Sequence, residues 1–551
     1  MRVNLVFSPF ALPHNPPLGI AHLKSSLAQH VQDCKVKCID LNLFFHHEYF
    51  EGCRNSSLND AASTTKALVS RSAEIFRGVS RPDLFFDSAH FNELAQVFFN
   101  NLMAVYTHCS HACKMYMEDK GRDPFIELLA GYAAELLRNI PDVIGFSVMM
   151  VEQLYCSLAL ARLVKEMDRR VKVVFGGSLI SREVGKLIAP LGEVDYIIQG
   201  EGERPLAELL GSPASPSVFP GLLYEKDGQV LDYGFDYIHD LASAPWADFS
   251  DFPLEAYYSP EICIPLLSSR GCYWQKCAFC VHYYNFRNCY RVRPVADVIK
   301  ELAFHVDNGI KYFSFVDEMI PANRFSQISE AILKTSLEIS YYALAKPKKT
   351  FTMDVLRSMA ASGCKAIFWG VESANQRVLD LMNKGTFVHE MGKVLQMSHR
   401  AGIKNHVFII LGFPSETLKE CQETLRFLYD NQECIDAVHN SRFFLNKGSF
   451  VFENPAKFGI IEICDSQLWK DWYRYEVSEG LSQDEIAALS ENLSDYFSSF
   501  SAYSPFLRSF RDHAMIIYSK FGQDYNRFTE TRTIRYPVLD ELRLKRGSNL
   551  V

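Results

Sequence analysis

The strongest constraint on this fold is a rhythm that runs twice along the chain. Short apolar runs of strand length alternate with segments whose apolar residues recur at helical spacing. RVNLVFSP is a buried-strand pattern, LGIAHLKSSLAQH has helical period, and VKCIDLNLF is a second apolar strand. Residues about 44–138 interrupt the rhythm with Phe, Leu, Ala and Ser at helical spacing, and read as a helical insertion. The alternation resumes with DVIGFSVMM, LYCSLALARLVKEM, VKVVFGG and VDYIIQGEGE. Strand and helix in turn predict a parallel sheet covered on both faces, doubly wound, with its ligand crevice at the carboxyl ends of the strands. This first domain spans 1–240, and the proline- and aromatic-rich stretch 241–259 reads as a linker. A second series places strands near 261–268, 311–317, 338–345, 365–371, 403–411 and 437–445. Six units predict a partial (β/α)6 barrel over 260–450. Beyond 451 the pattern is helical, with LSQDEIAALSENLSDYFSSF as the clearest case.

The formal net charge of -8 argues against a nucleic-acid partner, which calls for a basic footprint. No run approaches the roughly 20 apolar residues of a membrane span. MRVNLVFSPFALPHNPP reads as a strand and a turn, not a signal peptide. The 15 cysteines are odd in number and irregularly spaced, which fits reduced thiols, some of them metal-binding, in a cytoplasmic protein.

Three of them stand together. SSRGCYWQKCAFCVHYY places Cys272, Cys277 and Cys280 in nine residues directly after a predicted strand. A short loop of this kind wraps one corner of an iron–sulfur or other metal centre, and three thiolates leave a fourth position open. Zinc competes for such a loop, with Cys289 as a fourth ligand. Other dense groups read as structural: His108, Cys109, His111 and Cys113 in YTHCSHACK, and the pair His46-His47. Lys346, Lys348 and Lys349 read as a solvated run, with Lys346 also within possible reach of a ligand carboxylate. Arg291 and Arg293 read as salt-bridged barrel residues.

The cysteine loop, with RGC and the aromatic Phe279 before its last cysteine, resembles that of the radical S-adenosylmethionine (SAM) family. It departs from the usual spacing by one residue: Tyr273, Trp274, Gln275 and Lys276 separate the first two cysteines, where the family commonly has three. Later segments resemble the family in the same order. YFSFVDEMI carries Asp317 and Glu318, FWGVESANQRVLDLMNKG carries Glu372 and Ser373, and FIILGFPSET carries Gly412. The resemblance implies a [4Fe–4S] cluster on Cys272, Cys277 and Cys280. It also implies SAM near Phe279, Asp317, Glu318, Glu372, Ser373 and Gly412.

The first domain resembles the Rossmann-like cobalamin-binding domain that precedes many such barrels, through Pro16-Pro17-Leu18-Gly19, VIGFS, Gly176-Gly177 and GEGE. That resemblance implies cobalamin near Ser147, Gly176 and Gly177, where bulky side chains would block a flat corrin. Glu201 and Glu203 are expected to organise the loop. The Asp-x-His-x-x-Gly cobalt-ligating motif is absent, and His14, His22 and His30 do not supply it. Together the resemblances imply a cobalamin-dependent radical SAM methyltransferase acting on an unactivated carbon of a small natural product or a peptide. An electron donor such as flavodoxin or ferredoxin is implied as its partner. A cyclase or rearrangement enzyme with the same cofactors, and a non-catalytic iron–sulfur or zinc protein, are the alternatives. No catalytic residue is assigned by the sequence.

Overall fold

The computed structural model describes residues 1–52, 78–180, 182–211, 218–281, 289–464, 472–500 and 510–522, with positions 524, 525, 534 and 537. Part of the expected insertion (53–77) and parts of the expected C-terminal helical region (465–471, 501–509 and most of 526–551) lie outside these residues. The chain forms two compact units, Met1–Phe85 with Gln96–Pro265, and Phe86–Ala95 with Leu266–Val551.

The first unit is built on seven strands: β1 (Arg2–Phe7), β2 (Lys35–Asp40), β3 (Val143–Ser147), β4 (Lys172–Gly176), β5 (Tyr196–Ile198), β6 (Leu222–Lys226) and β7 (Gln229–Asp232). Their order is β2-β1-β3-β4-β5-β6-β7. The first five are parallel, as their continuous apolar runs require, and β6 and β7 add an antiparallel hairpin. The chain runs from β1 outward to β2 and returns across β1 to β3. This puts the topological switch, where such sheets take ligands, at the carboxyl ends of β1 and β3.

One expectation is corrected here. VKCIDLNLF is strand only as far as Asp40. The buried Asp40 carboxylate accepts the Leu43 amide at 3.0 Å and so starts the helix Leu41–Gly52. Residues 241–259, read as a linker, are strapped to the first unit. Lys24 reaches Asp248 at 3.1 Å and Asp251 at 2.9 Å, and Tyr257 donates to Asp40 at 2.7 Å. The described part of the insertion is helical, with Ser88–Met117 and Pro124–Leu137. Phe10, Phe45, Tyr106 and Phe125 pack edge to face or tilted where it meets the sheet.

A six-stranded sheet begins at the unit boundary and continues through the second unit: β8 (Cys263–Leu266), β11 (Tyr312–Phe315), β12 (Ser340–Ala345), β13 (Cys364–Glu372), β14 (Lys404–Leu411) and β15 (Ala437–Arg442). Strand order follows chain order across the sheet, as in a partial barrel, with helices such as Val295–Asp307, Ala322–Leu333 and Val388–Arg400 between strands. The short pair β9 (Ser269–Arg270) and β10 (Arg291–Val292) brackets the cysteine loop. The sheet's outer face meets these helices: Asn405 donates to Leu395 O at 2.8 Å. The inner face, with Phe368 and His406, takes the helix Arg511–Phe521, through Tyr518 OH to His406 Nε2 at 2.7 Å and Ser519 to Ser340 at 2.7 Å.

Helices Gln483–Asn492 and Ser494–Phe500 appear where the sequence placed them. The region beyond 451 is nevertheless not purely helical. β16 (Leu445–Asn446), β17 (Ile460–Cys464) and β18 (Trp472–Val477) form an antiparallel sheet. The alternation in WYRYEV, a strand pattern, carries it.

Candidate functional site

The cysteine loop leaves the carboxyl end of β8, and its entry is held from beneath. Asp317, just past β11 and buried, accepts from Ser268 N at 2.9 Å, from Ser268 Oγ at 2.8 Å and from Ser269 Oγ. Burial pushes the Asp317 carboxyl up, and these donors oppose that shift. Arg293 pairs with Glu301 at 2.5 Å and donates to Leu267 O at 2.7 Å, the structural role expected of it.

Further along the loop, Trp274 sits in the lengthened spacer. Its Nε1 donates to Asn383 O at 2.6 Å, and the ammonium groups of Lys346 and Lys348 lie 4.4 and 4.6 Å from its ring centre. Gly385 admits the ring: a β-carbon there would come within 2.0 Å of it. Ala278 N donates to Met382 O at 2.8 Å, so the same turn holds both sides of the loop. Phe279 packs beside this contact, with Lys384 Nζ 5.8 Å from its ring.

Two buried lysines stand against the thiols. Lys346 Nζ lies 3.7 Å from Cys277 Sγ and donates to Lys384 O at 2.8 Å. Burial, followed by the charge of Lys384, pulls the Lys346 value down to about 7. Lys384 Nζ donates to Glu372 Oε1 at 2.6 Å. Burial works against the Lys384 charge, yet Glu372 and Cys277 hold its pKa above the ordinary lysine value. Glu372 is aimed by strain: it has φ +65° and follows a bulge in β13 between Gly370 and Glu372. Gly370 leaves room for the pair, since a β-carbon there would lie 2.7 Å from Lys384 Nζ.

Other expected residues have mainly internal partners. Ser373 Oγ lies 3.3 Å from Thr424 Oγ1 and accepts the Asn375 amide. Gly412 has φ +75°, donates to Glu416 Oε2 at 2.6 Å, and faces Ile486, whose Cγ1 would lie 2.5 Å from an added β-carbon. Glu318 is half-buried next to Asp317. Cys272 and Cys280 are half-buried and Cys277 buried, whereas Cys289 is exposed.

The donor set fits a cubane: three cysteines on one loop, with buried cations beside them to balance an anionic thiolate cluster. A cubane places each thiolate on its own iron, so the sulfurs need not converge on one point. Among the described residues no three His, Cys, Asp or Glu side chains converge as a single metal ion requires. Cys109 and Cys113 are buried in a helix, His46 bonds Asn42 O and Tyr106, and His47 bonds Ala256 O.

In the first unit, Ser147 ends β3 within reach of the turn into helix Leu18–His30, since a β-carbon on Gly19 would lie 3.8 Å from its hydroxyl. Gly177 has φ +107°, and a β-carbon there would lie 2.4 Å from Val148 O. The close approach that requires glycine is therefore made by the unit's own backbone. Gly176 is unconstrained by comparison, with Ile198 O at 3.5 Å. Glu201 accepts the Ile238 amide at 2.8 Å and organises its loop as expected. Ser8, Gln153 and Ser157 form a buried network at the switch point that the sequence did not indicate. Gln153 donates to Ser8 O, and Ser157 to Ser8 Oγ, both at 2.8 Å.

Residues 266–428 match the radical SAM superfamily and residues 123–210 the B12 binding domain. The chain joins a B12-binding domain to a radical SAM domain. A radical SAM domain implies a [4Fe–4S] cluster and SAM, and a B12-binding domain implies cobalamin. An uncharacterized methyltransferase of Pyrococcus horikoshii, PH0819, is 27% identical over 295 residues, which is 52% of this chain and 64% of that protein. The cobalamin-dependent SAM radical enzyme OxsB, solved with aqua-cobalamin and SAM, has the same fold. It aligns with a TM-score of 0.61 at 17% identity, over 90% of this chain and 66% of OxsB. The radical SAM methyltransferase TsrM of Kitasatospora setae aligns with a TM-score of 0.55 at 15% identity, over 82% of this chain and 74% of TsrM. No described helix is long and apolar enough to cross a membrane.

The sequence missed Lys384 and Trp274. Both lie inside segments it did single out, and only their partners, brought together by folding, distinguish them.

Proposed function

We propose that this protein is a cobalamin-dependent radical SAM methyltransferase acting on an unactivated carbon of a small natural product or a peptide. The observation that carries the reading is the meeting, at one strand edge, of the Cys272–Cys277–Cys280 loop with the buried Lys384–Glu372 pair. When bound, the cluster and SAM supply a 5′-deoxyadenosyl radical and cobalamin supplies a methyl group.

The chain's own part is positional, since the hard chemistry belongs to the cofactors. Cys272, Cys277 and Cys280 hold the cluster. Asp317 fixes the loop entry and Trp274 its middle. Glu372, with Lys384 fixing one carboxylate oxygen, receives the amino group of SAM, and Lys346 lies where it can meet the carboxylate. Glu318, Ser373, Gly412 and Phe279 shape the surround. Ser147 and Gly176 border the cobalamin crevice at the switch point. Gly177 keeps the backbone there compact, and an external donor such as flavodoxin or ferredoxin supplies electrons.

The test is anaerobic reconstitution. The chain should hold about four irons and, given a reductant, convert SAM to 5′-deoxyadenosine. Replacing all three cysteines with Ala should abolish both. An intact cluster in that triple variant, or a reconstituted chain that never cleaves SAM, would end this reading.

A further inference from the structure

The inner face of the six-stranded sheet carries a cation that the chemistry above does not use. Register defines that face. Leu344, Phe368 and His406 lie level across β12, β13 and β14. One layer nearer the carboxyl edge come Gly370, Phe408 and His439, and then Ile410 and Ser441. Phe368 and His406 are buried under helix Arg511–Phe521, whereas Leu344, Phe408, Ile410 and His439 are only half-buried and Ser441 is exposed. The helix therefore closes the face below and leaves it open above.

Arg511 is the first residue of that helix and stands at the boundary between the two parts. Its guanidinium carbon lies 4.9 Å from the Phe368 ring centre and 5.2 Å from that of Phe408. Among the described residues no carboxylate pairs with Arg511, and the preceding residues 501–509 contain neither Asp nor Glu. Asp512 is fully buried, and adjacent helical residues do not face each other. A half-buried guanidinium resting against two rings, with no acid beside it among the described residues, is prepared for an anion from outside. Phe408 is four residues below Gly412, roughly 13 Å from the carboxyl edge at strand rise, which is a distance a small molecule spans.

We propose that Arg511 is the specificity-determining floor of the substrate site and pairs with a carboxylate. The hydrocarbon body of the substrate then lies along Leu344, Phe408 and Ile410, with its reacting carbon towards the strand edge. This rests on the proposed function only in placing the chemistry at that edge. The flat fork of one arginine matches a carboxylate, and the rings beside it favour an acid with an apolar body. A phosphate would call for further cations.

The test uses the full-length chain with benzoate, its neutral analogue benzamide, and inorganic phosphate, followed by titration calorimetry. Benzoate should bind about tenfold to a hundredfold more tightly than benzamide, and Arg511→Gln should lose that preference, with Arg511→Lys in between. On the unaltered chain, benzoate but not benzamide should protect Arg511 from phenylglyoxal, read by peptide mass spectrometry, so the proposal does not depend on a variant folding. Equal binding of the two probes, stronger binding of phosphate, unchanged benzoate binding in Arg511→Gln, or no protection would each overturn it. Iron content and SAM cleavage of the unaltered chain are measured separately. Their absence would overturn the methyltransferase reading while leaving the benzoate result to stand or fall alone.

Discussion

At the residue scale, the Lys384–Glu372 pair decides how a mutation at the site will read. Glu372→Ala would remove the SAM contact proposed above, but it would also strand a buried ammonium. Breaking a buried pair from one side costs about 3–5 kcal/mol. The expected result is a large drop in the urea midpoint of the cluster-free chain, with most of it recovered by Glu372→Ala combined with Lys384→Met. A Glu372→Ala chain as stable as the parent would show that the pair is not structural. Two buried groups in the first unit set its acid response. Burial pushes the Asp40 carboxyl up to about 6, against hydrogen bonds from Tyr257 and from the Leu43 and Asn42 amides. The folded state then keeps its proton longer than the unfolded chain, so this contribution to stability declines as pH rises from about 4 to about 6. Burial pushes His46 down to about 3, so the unfolded chain takes up its proton first and stability is lost as pH falls below about 6.5. The two trends oppose each other between pH 4 and 6. Asp40→Asn removes one of them, and the loss of protection of β2 amides in acid, followed by hydrogen exchange, should become steeper. An unchanged slope would mean that Asp40 ionises in the fold as it does in the unfolded chain.

At the scale of elements, glycines and turns separate what the backbone needs from what a ligand needs. The Gly176-Gly177 pair reads in the sequence as one feature that clears space for a corrin. The structure divides it. Gly177→Ala should destabilise the first unit by about 1–3 kcal/mol through its positive φ and the Val148 carbonyl, whether or not cobalamin is present. Gly176→Ala should leave thermal stability near that of the parent chain, and a bulky residue at 176 is the informative probe of cobalamin occupancy. Equal stability of the two alanine variants would remove this distinction. The β6–β7 hairpin shows the opposite case, a legible signal left unread. Asp227 and Gly228, both at positive φ, form the two-residue turn that suits a hairpin, and KDGQV spells it out.

For the whole molecule, the helix Arg511–Phe521 is part of the barrel's interior. Asp512 to Tyr518 are at most 3% exposed, and the helix covers Ser340, Phe368 and His406 on the inner face of the sheet. A chain stopped after Phe500 should keep its far-ultraviolet signal, lose near-ultraviolet structure and bind an apolar dye, the behaviour of a sheet with one unsealed face. A truncated chain that unfolds as cooperatively as the full one would show that the helix only decorates the surface.

What the sequence determined by itself was local. Continuous apolar runs and helical spacing located the six strands of the second sheet and the parallel core of the first, because burial of a face is written into each segment. Three cysteines in nine residues marked a candidate metal loop, because ligand spacing along one short loop is local as well. The tertiary structure decided which distant groups meet. Trp274 finds Asn383 across 109 residues, Lys384 turns back onto Glu372 through a bulge, residues 241–259 fasten onto Lys24 and Asp40, and Arg511 rests against Phe368 and Phe408 on the sheet's inner face. Periodicity specifies that a face is covered. Strand register, a positive φ and the shape of the packed interior specify by what, and those are set only when the whole chain has folded.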